Sequence, residues 1–435
     1  MLGRFRSVPL TVRKVRLSTL VATEEFPFSA SLAPSAPAAA VITASKLSSG
    51  VQTITRDVNA QMVSLKFCIK GGSSSEKAGQ KGAAHFLAKS AFVGTSEASG
   101  LKMVRFMESI GASFGAYADK EKIVYDVTVL PDQVEGAVAV VMAAIASAPN
   151  ASYVYEENKP AAQLDYSKFA ADNSAQLHEL VQEAAYGETS PLGGSLFAPS
   201  LSKLSVPSVL EYRAAHFVRS NLVVAGSGIS KAALDALVEK GASQIPDGAA
   251  PTLAASAFVG GDAKVRTSGP SQLALAFPVP GGDAGKPYMV LHALLSAKLR
   301  SQQVCASAFL TSFSGSAGGL VGMQSAGSAT DAAKYIAIAV AELKAIASKC
   351  PDIETLKQKV TLENFLALEG ESTTAYLLAA HVSGANPASA GDVRSVTTAS
   401  VSAAASAALK AVPAYAVLGA TAGTPSYAEI LSMLK

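Results

Sequence analysis

The chain repeats one order of predicted elements, and this repeat is the feature that most restricts its fold. In the first half, QMVSLKFCIKGG (residues 61–72) alternates apolar and polar residues and then ends in Gly-Gly. This pattern is typical of a β-strand followed by a turn. The second half starts in the same way, with SQLALAFPVPGG (residues 271–282). A helical pattern follows each of them, so the sequence predicts two domains built on one plan.

The later elements also correspond between the halves. Residues 109–130 predict two strands, with apolar residues at every second position before Pro131, and residues 307–328 predict two more. A long apolar helix follows each pair, and late strands are predicted within 220–228 and 414–423. We therefore expect an α+β fold of two homologous domains, each a mostly antiparallel sheet with helices packed on one face.

Composition suggests where these domains begin and end. We assign residues 1–44 to a targeting segment and linker, 45–238 to the N-terminal domain, and 263–435 to the C-terminal domain. The interval 239–262 is low in charge and rich in Pro, Gly and Ala, which favours a linker between the domains.

The N-terminal segment has the composition of a mitochondrial transit peptide. Its first 18 residues carry five Arg and Lys residues, and the first acidic residue is Glu24. A disordered basic tail is the alternative reading. The Ala-, Pro- and Ser-rich stretch that follows predicts an extended linker. Cleavage after Arg16 and cleavage at later positions before about Ala44 both remain open.

Several function classes are disfavoured by composition. The formal net charge is +3, and without the first 18 residues the chain is close to neutral, so we expect no nucleic-acid surface. No apolar run reaches the roughly 18–20 residues of a membrane span. The three cysteines are far apart and match no metal, disulfide, haem or iron–sulfur spacing. We therefore expect no cofactor.

The string KGAAHFLAKSAFVGT (residues 81–95), with SIGASFGAYADKEKIVYDVTVLP, HELVQEAAYGETSPLGG and FLTSFSGSAGGLVGMQSAG in this order, resembles one peptidase family. The chain is similar to the pitrilysin/insulinase family over about residues 45–435. The likeness is to its mitochondrial branch, which holds the subunits of the processing peptidase and the core proteins of ubiquinol–cytochrome c reductase, respiratory complex III.

Active members of that family carry H-x-x-E-H on a helix, where two histidines bind one zinc ion and the glutamate is the general base. In this chain His85 matches the first histidine, Ala88 stands at the glutamate and Lys89 at the second histidine. The family's third ligand is a glutamate, whereas the corresponding window PAAQLDYSK offers only Asp165. The resemblance thus implies a degenerate motif, with no catalytic residue and no metal ligand set.

The remaining histidines offer no replacement for the missing ligands. They are isolated along the chain, and none pairs convincingly at helical spacing with another ligand type: His178, His216, His292 and His381. A self-sufficient metallopeptidase is therefore the least favoured reading, because a catalytic zinc needs three protein ligands.

Two kinds of non-catalytic member exist in the branch, and a glycine-rich loop in the second domain separates them. The α subunit of the processing peptidase has this loop, which presents presequences to a catalytic partner. Here no glycine occurs between Gly285 and Gly315, and the glycines from Gly315 to Gly322 predict a β-hairpin. The resemblance is therefore closer to the core-protein side of the branch.

A core protein of this branch is a scaffold subunit, and the resemblance implies its setting. We expect core protein one and cytochrome b among the partners, in a dimeric multisubunit complex III. The chain would lie on the matrix side of the mitochondrial inner membrane, peripheral to the membrane through that complex. A presequence-binding α subunit is the alternative, including one that is integrated in complex III.

Overall fold

The computed structural model describes residues 41–58, 60–148, 152–252, 256–313, 318–369, 374 and 392–435. Some predictions lie outside these residues, namely those for the segment 1–40, for His381 and for the glycine turn at 314–317.

The first sheet has six strands among the described residues, in the order β1-β2-β6-β3-β5-β4. Neighbours are antiparallel except for β2 and β6, which are parallel. Its strands are β1 (Val41–Lys46), β2 (Gln52–Asp57), β3 (Val63–Lys70), β4 (Ser113–Ala118), β5 (Lys122–Val129) and β6 (Leu222–Ser227).

Period-two alternation explains which face of this sheet is covered by helices. Leu65 and Phe67 of β3 are buried in the same core as Tyr125 and Val127 of β5, and Phe67 lies opposite Tyr125 in the register. The helices of this half are α1 (Ala83–Lys89), α2 (Gly100–Ser109), α3 (Val134–Ala146), α4 (Ser152–Ala171), α6 (Val206–His216) and α7 (Lys231–Ala242).

The second sheet has five strands in the described part of the chain, in the order β7-β11-β8-β10-β9. Only β7 and β11 are parallel neighbours. These strands are β7 (Gly261–Arg266), β8 (Ser271–Val279), β9 (Ala306–Ser312), β10 (Gly319–Gly327) and β11 (Ala414–Gly419). The helices are α8 (Lys286–Ser301), α9 (Ala329–Ser348), α10 (Glu354–Glu369), α11 (Thr398–Lys410) and α12 (Tyr427–Leu434). The predicted α+β class with two mostly antiparallel sheets is confirmed.

A helix from the first half covers the other face of the second sheet. This helix is α5 (Asn173–Tyr186), whose Val181 and Ala184 pack in one cluster with Ala274 and Ala276 of β8. The alternate β8 residues, such as Leu275, point into the core on the side of α8 and α9. The small alanine side chains leave room for α5, so the second sheet is enclosed on both faces.

Because α5 packs on the second sheet, Leu177→Ala is expected to destabilise the second half although residue 177 belongs to the first. Leu177 is buried, and its truncation should lower the free energy of unfolding by about 2–3 kcal/mol. Hydrogen exchange should become faster in β8 and β11 and remain unchanged in β3 and β5. Leu164→Ala, on the exposed side of α4, is the control and should change stability by less than about 0.5 kcal/mol. An increase in hydrogen exchange that is confined to the first sheet would contradict the packing of α5 on the second sheet.

The halves also meet at the first sheet. Thr374 is fully buried, and its hydroxyl oxygen lies 3.2 Å from the hydroxyl oxygen of Ser64 on β3. A residue of the second half is therefore in direct contact with the first sheet.

The interval between α7 and β7, residues 243–260, lies within the segment 239–262 that the sequence proposes as a linker. Strand β1 begins at Val41, inside the proposed targeting segment and linker 1–44. In the part of the chain that the structure describes, no helix combines the length and the apolarity that crossing a membrane requires.

Candidate functional site

The degenerate motif lies on α1, a short helix with an unusual N-terminal cap. Gly82, which precedes the helix, has a φ of 86° and no side chain to cap it. The half-buried carboxyl group of Glu76 instead accepts hydrogen bonds from the backbone N–H groups of Gly82 and Ala84, both at 2.8 Å. Burial raises the pKa of Glu76 to about 8, although the two N–H donors act in the opposite direction. Glu76 therefore anchors the helix that carries His85 and Lys89.

Asp165 of α4 faces the two residues of α1 that stand at the histidine positions. One carboxylate oxygen, Oδ2, lies 2.9 Å from Lys89 Nζ and 3.6 Å from His85 Nε2. The other oxygen, Oδ1, lies 3.5 Å from Lys168 Nζ, one turn further along α4. The structure thus brings together His85, Lys89 and Asp165, and the ammonium group of Lys89 occupies the space between the helices.

The charges at this position follow from burial and from these contacts. Burial is the largest influence on His85 and lowers its pKa, with Asp165 acting against this, so the imidazole is neutral at pH 7. Burial also acts to raise the pKa of Asp165, but the hydrogen bond and charge of Lys89, together with His85 and Lys168, leave it below its usual value. The arrangement is therefore a carboxylate held by two ammonium groups beside a neutral imidazole.

Aromatic side chains close one side of this arrangement. Phe197 meets the ring of His85 edge-to-face, with centroids 4.7 Å apart, and stacks on Phe169 at 4.8 Å. A cavity of about 450 Å³ opens beside them, bounded by α1, α4, the start of α5 and the edge strand β4. Tyr117 of β4 also lines this cavity.

The residues present do not fit a catalytic zinc ion. His85 and Asp165 supply two ligand groups, whereas Lys89 places a cation where the third would be needed. Ala88 has no group that could accept a proton from a metal-bound water. Within the described ranges, no three His, Cys, Asp or Glu side chains converge on a point where a metal ion could be held.

The other described histidines lie away from this position. His178 contacts Phe309 edge-to-face, His216 stacks on Tyr212, and His292 Nε2 is 3.3 Å from the carbonyl oxygen of Ala308. Sequence reasoning found His85, Lys89 and Asp165 but missed Glu76 and Phe197, because neither belongs to a local motif.

Asp165→Asn is expected to cost about 2 kcal/mol of unfolding free energy at pH 7, since it removes the charge shared by Lys89 and Lys168. The pKa of Asp165 is lower in the folded chain, so its contribution is present above about pH 4 and is lost as the pH falls through the folded value. Denaturant unfolding at pH 7 and pH 3 should show the difference from wild type shrinking. A deficit that is the same at both pH values would contradict this assignment.

Lys168→Met is the matched control for that experiment. The side chain of Lys168 is 69% exposed, so its ion pair with Asp165 should contribute less than about 0.5 kcal/mol.

Comparison with known families agrees with the fold. The sequence profile of the insulinase peptidase family, M16, matches residues 52–200. A second profile, the M16 inactive domain, matches residues 203–360, so the two together cover most of the chain. The chain belongs to the M16 insulinase family. The M16 inactive-domain profile spans the segment between the halves and most of the second sheet.

Two kinds of mitochondrial protein are among the relatives of this chain. The chain is 26% identical over 330 residues to the probable mitochondrial-processing peptidase subunit alpha-1 of Arabidopsis thaliana, covering 69% of this chain and 65% of the relative. It is 28% identical over 249 residues to cytochrome b-c1 complex subunit 2 of Yarrowia lipolytica, covering 57% and 58%. The same subunit of Neurospora crassa is 25% identical over 350 residues, covering 75% of each chain.

The match spans less than two thirds of these two relatives, 65% of the Arabidopsis protein and 58% of the Yarrowia protein. The proteins just named are an α subunit of a mitochondrial-processing peptidase and two mitochondrial cytochrome b-c1 subunits, and their identities to this chain are similar, at 25–28%. The comparisons therefore establish M16 membership and a likeness to both kinds of protein, without separating the two.

Proposed function

We propose that this chain is a non-catalytic scaffold subunit of mitochondrial complex III, of the kind called core protein two. In this role it supports assembly and dimer stability on the matrix side of the inner membrane. Its partners are core protein one and other subunits of the complex, including cytochrome b, and it is peripheral to the membrane through them.

The observation that carries the non-catalytic part of the proposal is the ion pair of Lys89. Its Nζ lies 2.9 Å from the Asp165 carboxylate that faces His85. A fixed ammonium group there balances the charge of Asp165, as a metal ion would, and repels a cation from the same place. Ala88 stands at the position of the general base and has no group that could accept a proton. This position therefore supports neither metal binding nor activation of water.

The connection between α8 and β9 favours a core subunit over a presequence-binding subunit. Helix α8 runs to Ser301 without a glycine after Gly285, and four residues, 302–305, join it to β9. The family resemblance would place the glycine-rich loop after this helix, and four residues leave no room for it. The similarity to cytochrome b-c1 complex subunit 2 proteins supports the same choice.

A presequence-binding α subunit is the second candidate, and the similarity to α subunits of the processing peptidase favours it. In that case, adding the chain to a catalytic partner with an intact H-x-x-E-H motif should raise the rate at which the partner cleaves a presequence peptide. The core-subunit proposal expects no increase for a partner that lies outside complex III.

Elemental analysis of the purified full-length chain tests the proposal that the chain is non-catalytic and holds no zinc. After passage through a metal-free desalting column, the chain is expected to hold far less than one zinc ion per molecule. One tightly held zinc ion per chain would contradict the proposal, because it would require a ligand set other than the one described above.

A further inference from the structure

Beyond the proposed function, we infer that residues 187–197 form a strap that covers the degenerate site, and that the buried ammonium group of Lys120 holds this strap closed. The strap connects the end of α5 to Phe197, the residue that packs on His85. Lys120 acts through the strap and is a positioning residue, not a catalytic one.

The first part of the strap is a compact loop closed on itself. The N–H of Ser190 donates to the carbonyl oxygen of Gly187 at 3.0 Å, and the N–H of Gly194 donates to the carbonyl oxygen of Ser190 at 3.2 Å. A Cβ atom at Gly193 would lie 1.9 Å from the carbonyl oxygen of Gly187, so only glycine permits this approach. These contacts hold residues 187–194 together as one compact loop.

Two hydrogen bonds hold the backbone of Leu192, in the middle of the strap. Its carbonyl oxygen accepts a hydrogen bond of 3.0 Å from Lys120 Nζ, on the turn between β4 and β5. Its N–H donates to the hydroxyl oxygen of Ser256 at 3.2 Å, in the segment between the two halves. Lys120 is only 4% exposed, which is rare for a lysine and implies a specific requirement for its ammonium group.

Glu179 of α5 fixes the far end of the strap. Its carboxylate accepts hydrogen bonds from the hydroxyl of Ser195 and, at 3.0 Å, from the N–H of Leu196. The same hydroxyl oxygen of Ser195 accepts from the N–H of Phe197 at 3.2 Å. These bonds set the direction in which Phe197 leaves the strap, and therefore its position on His85.

The anchors of the strap belong to different parts of the fold. Lys120 extends from the first sheet, Glu179 belongs to the helix that packs on the second sheet, and Ser256 lies between the halves. A shift of one half against the other therefore has to pull on the strap. The geometry couples the packing of the halves to the cover over the cavity beside His85.

Lys120→Met in the full-length chain tests whether Lys120 holds the strap closed. Methionine retains much of the aliphatic part of the lysine side chain and removes the ammonium group. Two local readouts are needed: hydrogen exchange of the strap amides, and labelling of His85 by diethyl pyrocarbonate, which reacts with exposed neutral imidazole. Strap exchange is expected to rise about tenfold, which corresponds to about 1.4 kcal/mol of local protection. Labelling of His85 should rise with it, while labelling of His178 and His292 remains unchanged.

Two further variants calibrate the result. Phe197→Ala uncovers His85 directly and sets the upper limit of its labelling. Lys122→Met removes a lysine two residues from Lys120 and should leave both readouts at their wild-type values. The inference is overturned if Lys120→Met leaves strap exchange and His85 labelling unchanged. It is equally overturned if exchange rises uniformly over both halves, or if Lys122→Met gives the same pattern.

Discussion

Lys89→His is expected to turn the degenerate position into a zinc site. Residue 89 is one helical turn after His85 on the same face of α1, so the new imidazole would point with His85 toward Asp165. Two imidazoles and one carboxylate are a ligand set that zinc accepts, with water as the fourth ligand. The dissociation constant for zinc should fall at least about a thousandfold relative to wild type, or about 4 kcal/mol. Competition titration against a chromogenic chelator measures it.

Two variants show whether the gain comes from the new ligand. Lys89→Gln removes the cation without adding an imidazole and should bind zinc no better than about tenfold over wild type, since two ligands remain. Adding Asp165→Asn to Lys89→His should abolish most of the gain. Equal zinc affinity for Lys89→His and Lys89→Gln would show that the facing helices do not hold the family's ligand geometry.

Gly72→Ala is expected to destabilise the chain by about 3 kcal/mol or more. A Cβ atom at Gly72 would lie 1.8 Å from the backbone carbonyl oxygen of Asp119 and 2.5 Å from the backbone of Lys120. Backbone atoms cannot rotate away as a side chain can, so the turn between β4 and β5 would have to move. Equilibrium unfolding in urea, followed by circular dichroism, measures the loss.

The equivalent glycine of the second half supplies the matched control. Gly282 also ends a Gly-Gly pair after a strand, but a Cβ atom there would meet nothing within 4 Å. Its φ of 67° is left-handed, so Gly282→Ala should cost only about 1–2 kcal/mol. If Gly282→Ala proved as costly as Gly72→Ala, the close contact at Gly72 would not be the cause.

This pair of glycines illustrates how far the sequence predicts the fold. Alternation in β3 and β5, the stop at Pro131 and the two Gly-Gly turns are local signals, so these strands and their succession along the chain could be predicted, but not β1, β2 and β7 or the order of strands within each sheet. The sequence does not distinguish Gly72 from Gly282, because the difference is that the turn between β4 and β5 packs against Gly72 while nothing packs against Gly282. In the same way, the apolar face of α5 predicts a buried helix but not its partner, the second sheet.

Only those residues of the candidate site that belong to the family motif, or to its acidic window, could be predicted from the sequence. The motif identified His85, Ala88 and Lys89, and the acidic window identified Asp165, which the structure brings to Lys89. Glu76 and Phe197 lie outside any motif and reach the site through loops. Lys120 carries a charge that composition would assign to the surface, and its burial depends on the strap that folds over it.

The most direct test of the proposed function is mass spectrometry of native assemblies from detergent-solubilised mitochondrial inner membrane, separated on a non-denaturing gel. We expect this chain in one large assembly, together with cytochrome b and a core-one partner. A zinc motif retained on that partner would assign any processing activity to the partner. Recovery of the chain only as a soluble pair, of about twice its 44.2 kDa, would contradict the complex III proposal and favour the presequence-binding subunit.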